Sequence, residues 1–298
     1  MARQVWKILA TGLAWAPLLG CNSVLGLDIT YRECVEPEGK RYVESFEGEG
    51  LQSLRDRCWR VANPGPDPAA IEKKIFVEDG DLVMRVFDSA DPKDLDQWST
   101  DDQAPFLHRS VESDFLIVAR AEASTKSNGD HCLPAGNAAG LAVRRPDAPG
   151  EWATWTVEPH LWVNGTKQAV CIDDTDDTNN PTATARLRSF NPTWAQADFE
   201  NIGVDGEVDI AICRVDDQVY YYYGQRTADP GKNLWFPQTS ASVAHALGAG
   251  PIEIGLTATG QAPEFKVAGH FNWVVIETGA YGDGCGGALE RFSLPEDS

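Results

Sequence analysis

Between Ile252 and Ala258 the side chains alternate without a break: Ile252, Ile254, Leu256 and Ala258 are apolar, with Glu253, Gly255 and Thr257 between them. A period of two sends successive side chains to opposite sides of a pleated backbone, so this stretch buries one face as a β-strand. Related patterns predict further strands over 114–122, 138–144, 151–157, 183–190, 207–215, 218–224 and 267–277. Residues 75–86 hold two apolar runs joined at Asp79-Gly80, a two-residue hairpin signal that sets Leu82, Met84 and Val86 on one face. Helical periodicity is nearly absent, and 241–247 is at most one short helix. Many short strands without a composition break predict an all-β fold, an antiparallel two-sheet sandwich or jelly roll, over 39–298 as one domain.

The chain opens with Arg3 and Lys7, then a mostly apolar stretch from Ile8 to Leu19, then Leu18-Leu19-Gly20-Cys21. That order of positive region, short apolar region and small residue reads as a signal peptide over 1–20, and the apolar stretch is too short to cross a bilayer. Leu-Leu-Gly-Cys resembles the lipobox of bacterial lipoproteins. The resemblance implies cleavage before Cys21, a diacylglycerol on its sulfur, and attachment to the cell envelope through that lipid. Asn22 after the cysteine points, by the same resemblance, to the outer membrane. Residues 21–38 then serve as a tether.

The formal net charge is −20, and the leader carries two of the positive charges. Such a field repels nucleic acid and anionic headgroups, which excludes both as partners. Hydrophobic residues make up 42% of the chain, enough to remove it from the disordered class. Setting Cys21 aside, Cys34, Cys58, Cys132, Cys171, Cys213 and Cys285 form an even set, which in an exported chain predicts three disulfides. Nearest-neighbour pairing is the simplest connectivity, with Cys132–Cys171 its strongest member. None of these cysteines has the close spacing of a structural zinc site.

The succession FLIVARAEAS, AAGLAVRR, EWATWTVEP and IEIGLTATGQAPEFKVAGHFNWVVIE resembles the concanavalin A-like lectin/glucanase superfamily over residues 42–278. The resemblance implies two large sheets packed face to face, with the final strand returning beside the first. The superfamily includes lectins, glycosidases and structural modules, so it fixes no activity. One glucanase family of this superfold carries Glu-x-Asp-x-x-Glu on a strand. The nearest match here, Glu207-Val208-Asp209-Ile210-Ala211-Ile212, puts isoleucine where the acid/base belongs, and Glu112-Ser113-Asp114 fails in the same way at Ile117. No catalytic residue is assigned.

Three groups remain as candidates. An Asp216-Asp217 turn sets Cys213 opposite Tyr220, so that Glu207, Asp209 and Ala211 share a face with Tyr220 and Tyr222. Rings beside carboxylates suit a sugar, although cross-strand aromatic pairs are common in any sheet. Trp152, Trp155 and Trp162 crowd one region near an Asn164-Gly165 turn. Trp152 and Trp155 point to opposite faces, so at most one is core and another is a stacking candidate. Asp173, Asp174, Asp176 and Asp177, with Asn179 and Asn180, offer the oxygen-rich composition calcium uses without any known motif; the alternative is a solvated loop. The five histidines lack metal-ligand spacing, and no Gly-x-Ser-x-Gly or phosphate loop occurs. Together these features predict an envelope-anchored, non-enzymatic sandwich that binds carbohydrate or another envelope component. The alternatives are a structural or partner-binding module and a divergent glycosidase.

Overall fold

Strands numbered in chain order assemble into two antiparallel sheets. Sheet A runs β1 (Val35–Glu36), β6 (Phe106–Val111), β19 (Ile252–Thr259), β9 (Ala138–Arg144), β10 (Trp152–Val163), β13 (Thr182–Asn191) and β14 (Thr193–Phe199); β3 (Arg60–Ala62) joins β6, and β11 (Thr166–Gln168) joins β10. Sheet B runs β17 (Asn233–Gln238), β16 (Gln218–Arg226), β15 (Val208–Val215), β7 (Phe115–Ser124), β20 (Val267–Thr278), β5 (Asp81–Val86) and β4 (Ile75–Glu78); β18 (His245–Ala246) joins β16, and β2 (Arg41–Glu44) joins β20. A short ladder of β8 (Cys132–Leu133) and β12 (Val170–Cys171) stands apart, and only the β1–β6 contact is parallel among the described strands. The structure is a computed structural model. It describes residues 35–295 apart from 37–38, 48–49, 63–73, 87–103, 125–131, 134–137, 149–150, 164–165, 169, 172–181, 192, 200–206, 230, 239–244, 248–249 and 261–266. For 159–199 and a few short strand ends it describes the backbone alone.

The core lies between the sheets and is built from alternate positions. Phe115, Ile117, Ala119 and Ala121 of β7 meet Leu141 and Val143 of β9, Trp155 and Val157 of β10, and Ile254 and Leu256 of β19. The Trp155 indole N–H crosses the core and donates to the Tyr222 carbonyl at 2.7 Å, giving a large buried ring its polar partner. The final strand β20 pairs with β2, the first strand of sheet B, as the superfamily resemblance implied. The Asp79-Gly80 hairpin forms as expected: Glu78 pairs with Asp81, and both turn residues have positive φ, 54° and 88°. Leu82, Met84 and Val86 all enter the core.

The sequence reading missed two helices, α1 (Gly50–Asp56) and α2 (Gly284–Arg291). Three glycines in the Gly-Cys-Gly-Gly-Ala-Leu-Glu-Arg segment argue against a helix on propensity. Tertiary packing overrides that: Cys285, Ala288 and Leu289 bury one stripe against sheet B, and a disulfide joins Cys285 to Cys213 of β15. Strands β6, β14 and β17 were also unmarked. The short helix considered at 241–247 is corrected in part, because His245–Ala246 pairs with Gln218–Val219 as a strand; 241–244 lie outside the described residues.

The Cys213–Cys285 bond agrees with nearest-neighbour pairing, Cys58 is also disulfide-bonded, and the β8–β12 register sets Cys132 opposite Cys171. Non-reducing peptide mapping is expected to recover Cys132–Cys171 and Cys34–Cys58 beside Cys213–Cys285. Alkylation of Cys132 without reductant would exclude its bond. A second expectation concerns sheet spacing. A Cβ at Gly269 of β20 would lie 2.7 Å from the Ala139 Cβ and 3.2 Å from the Ala258 Cβ, both on the opposite sheet. Gly269→Val should therefore cost about 1–3 kcal/mol by overpacking; an unchanged urea midpoint would show that the sheets have room there.

Candidate functional site

Each sheet has an outward face, and neither is an ordinary wetted surface. On sheet B the β15–β16 hairpin takes the expected register, with Cys213 opposite Tyr220 and Asp216-Asp217 at positive φ of 49° and 66°. Asp209, Ala211 and Cys213 therefore point outward with Tyr220 and Tyr222, while Val208, Ile210, Ile212 and Tyr221 enter the core. Most of this outward face is filled. Ala288, Leu289 and Phe292 pack with Leu116, Val118, Ala211, Tyr222 and Val275, beneath a helix pinned by the disulfide. Tyr222 is buried, Tyr220 is exposed, and Glu207 forms a partly exposed ion pair with Arg226 at 2.8 Å.

Asp209 is buried and fully engaged. Arg120 grips it twice, Nε to Oδ1 at 2.8 Å and Nη2 to Oδ2 at 3.2 Å, and the Asn233 amide donates to Oδ2 at 2.6 Å. Beyond the end of α2 this face opens into a cleft of about 700 Å³, lined among others by Arg120, Asn272, Trp273 and Asp81. The register of β20 against β7 slips between Phe271 and Trp273, and such a bulge re-aims side chains. Here Phe271 stays in the core while Trp273 joins the outward cluster and, with Asn272, borders the cleft.

Sheet A carries the second outward face. Along β10, Ala153, Trp155 and Val157 enter the core, which leaves Trp152, Thr154, Thr156 and Glu158 outward. Register then lays rows across the sheet: His108, Gly255, Ala142 and Thr154 form one, and Phe106, Thr257, Gly140 and Thr156 the next. In these two rows β19 and β9 contribute Gly255, Thr257, Ala142 and Gly140, so the floor is low beside the rings of His108 and Phe106 on β6 and forms a trough. A Cβ at Gly140 or Gly255 would come within 2.7 Å of the Cα of Thr156 or His108, so neither position has room for a larger residue. Its residues are withdrawn from water: Trp152, Thr154, Thr156, Glu158, His108, Arg144, Glu253 and Thr257 are all buried.

Polar contacts organise this floor. Arg144 donates from Nε to Glu253 Oε2 at 2.8 Å and approaches the same oxygen from Nη2 at 2.6 Å. His108 stacks on Phe106 with ring centroids 5.0 Å apart, and the Arg144 guanidinium lies 5.5 Å from the Phe106 centroid. The His108 Nδ1 is buried without a hydrogen-bond partner, 3.8 Å from Glu253 Oε1. Burial, aided by the charges of Arg144 and Arg60, lowers this imidazole from 6.5 to about 3, so the approach to Glu253 is not an ion pair near neutrality.

The tryptophan expectation needs correction. Trp152 and Trp155 do face opposite ways, but neither is exposed: Trp155 lies between the sheets, and Trp152 forms a small outward cluster with Ala104, Phe106 and Ala142. Trp162 pairs with Lys167 where β10 meets β11, and its side chain, like Asn164 and Gly165, lies outside the described residues. Cys21, Asp173, Asp174, Asp176 and Asp177 lie outside them as well. Among the described residues no group of three or more His, Cys, Asp or Glu could hold a metal ion. Sequence reading missed His108, Arg144 and Glu253 because only the pairing of β6, β19 and β9 brings them together.

No family model matches this chain, and no curated protein does. Solved structures do. A xylan β-1,4-xylosidase of Bacillus halodurans C-125 is 13% identical with a TM-score of 0.49, over 81% of this chain and 39% of that one. A β-glucanase of Bacillus licheniformis is 12% identical with a TM-score of 0.44, over 80% and 98%. A pseudo-β-1,3-glucanase of Mycobacterium tuberculosis is 14% identical with a TM-score of 0.40, over 80% and 98%. The protein is an all-β, disulfide-bearing sandwich of two antiparallel sheets.

A pH dependence follows from the trough. The folded protein holds His108 neutral, whereas the unfolded chain takes up a proton below about 6.5. The stabilisation is complete above that pH and is lost as pH falls from 6.5 towards 3. At about 1.4 kcal/mol per pH unit, the loss between pH 7 and pH 5 is about 2 kcal/mol. His108→Asn should flatten this part of the acid limb. Denaturant titrations at pH 7, 6 and 5 check it, and identical pH slopes for both proteins would show an ordinary imidazole.

Proposed function

We propose that this protein is an envelope-anchored lipoprotein whose sandwich binds carbohydrate, without hydrolysing it, along the outward trough of sheet A. The observation that carries this reading is the floor itself: Gly255, Thr257, Ala142 and Gly140 lie between Phe106 and His108 on one side and Thr154 and Thr156 on the other, a mixture of polar and aromatic groups. Sugar recognition needs that mixture, an apolar plate for C–H faces and donors and acceptors for hydroxyls.

The same floor argues against catalysis. Glycoside hydrolysis needs two carboxyl groups about 5 Å apart to retain configuration, or about 6.5–9.5 Å apart to invert it. Along the outward positions of β10 from Trp152 to Glu158, Glu158 is the one carboxylate. Glu253, the other carboxylate among the described side chains of the floor, is held by Arg144. The leader reading supplies the address, with Cys21 as the lipid carrier and the outer membrane as destination. Calcium enters through the composition of Asp173, Asp174, Asp176 and Asp177.

The test is a polysaccharide pull-down and glycan array, with and without calcium, alongside reducing-end assays on the retained polymers. Retention of a neutral glycan without new reducing ends is expected, and Thr156→Val should weaken retention by about tenfold through one lost hydrogen bond to the ligand. Absence of retention would overturn binding. Reducing ends that vanish in Glu158→Gln would overturn the non-catalytic reading. Intact mass should show a mature chain beginning at an acylated Cys21.

A further inference from the structure

We infer that the cleft on the outward face of sheet B is a second binding site, separate from the trough, for a cationic and hydroxyl-bearing ligand: an amino sugar carrying a free ammonium. The inference stands on three observations. The first is room: at about 700 Å³ the cleft has the volume of a small-molecule site.

The second is charge. Glu47, Asp79 and Asp81 line the cleft, and the one guanidinium among its lining residues, Arg120, is gripped by Asp209 at 2.8 Å. The lining is therefore net acidic, which repels uronates and sulfated sugars and attracts a cation. A bare calcium ion is a poorer match than an organic cation, since it needs six to eight converging oxygens. Among the described residues no group of three or more carboxylates, histidines or cysteines converges in that way. Carboxylates spread along a rim suit a ligand that reaches them from a scaffold of its own.

The third is an orphan donor. Trp273 lines the cleft at 5% exposure, and its indole N–H is buried without a hydrogen-bond partner. A buried donor left unmade is costly, so a group there calls for an acceptor such as a sugar hydroxyl. The bulge that brings Trp273 and Asn272 to the cleft also lets the Asn272 amide donate to Asp81 Oδ1 at 3.1 Å, which orients that carboxylate. His270 Nδ1 lies 4.0 Å from the other oxygen of Asp81. Glu122 stands opposite His270 on β7, and Arg120 opposite Trp273.

Calorimetric titration of the full-length protein with glucosamine oligomers, N-acetylglucosamine oligomers and calcium chloride tests the inference. Binding of the free-amine oligomer is expected, at least about tenfold tighter than the acetylated one and weakened by salt. Asp79→Asn should reduce it severalfold without touching the fold, because asparagine tolerates the positive φ of 54° found there. Trp273→Phe keeps the packing and removes the donor, and should reduce it further. Equal affinity for both oligomers, a heat signal from calcium alone, or wild-type affinity in both variants would overturn the inference. Because the trough of sheet A contributes none of these residues, Thr156→Val should leave this binding unchanged. Loss of neutral-glycan retention with free-amine binding intact would refute the trough alone.

Discussion

Burial between two sheets is the constraint from which the rest of the molecule follows. Every second side chain of β7, β9, β15 and β19 is committed to one shared core, so the intervening residues must face away from it. In a small sandwich those residues would meet water and read as a polar surface. Here Leu116 and Val118 of β7 and Val275 of β20 are apolar on the outward side as well, and they require a cover. Helix α2 supplies it, and the Cys213–Cys285 bond ties that cover to the middle of the sheet across 72 residues of sequence. A glycine-rich helix with little intrinsic stability can serve because the tether removes much of the entropy lost on docking.

The open end of the same face is held by a different device. Arg120 and Asp209 are both buried, and a buried ion pair is weak evidence for stability because desolvation offsets attraction. What the pair supplies is position. Two hydrogen bonds to the guanidinium and one from Asn233 fix Asp209, and the same guanidinium lies 5.3 Å from the Trp273 ring centroid. The floor of the cleft is thereby rigid, and ligand recognition passes to the groups at its rim.

Local signals were legible in the sequence, and long-range ones were not. The Asp79-Gly80 and Asp216-Asp217 turns each fix a register, and register decides every facing along the strands they join. That is why Tyr220 and Tyr222 could be set beside Asp209 from the chain alone. Whether that face was open depended on α2, about 70 residues downstream, whose glycines disguise it. Trp152 shows the same limit. Its direction was readable from alternation, but its burial depends on Phe106 and Ala104, which reach it only through the order β6, β19, β9 and β10. The trough is wholly of this kind, since His108 and Thr154 are separated by two strands drawn from distant parts of the sequence.

Charge is distributed in a way that bears on what either site can accept. Four arginines are buried among the described residues, Arg109, Arg120, Arg144 and Arg214, and four carboxylates with them, Glu44, Glu158, Asp209 and Glu253. The buried set is balanced, so the formal charge of −20 resides with the rest of the chain. A ligand approaching either face crosses a negative field before it meets the floor, and low ionic strength deepens that field. Neutral glycans are indifferent to it, anionic ones are turned away, and cations are drawn in. The floor of sheet A, where Arg144 neutralises Glu253 and hydroxyls and rings make up most of the rest, and the acidic rim of the sheet B cleft then divide the admitted ligands, the first suited to neutral hydroxyls and the second to an ammonium.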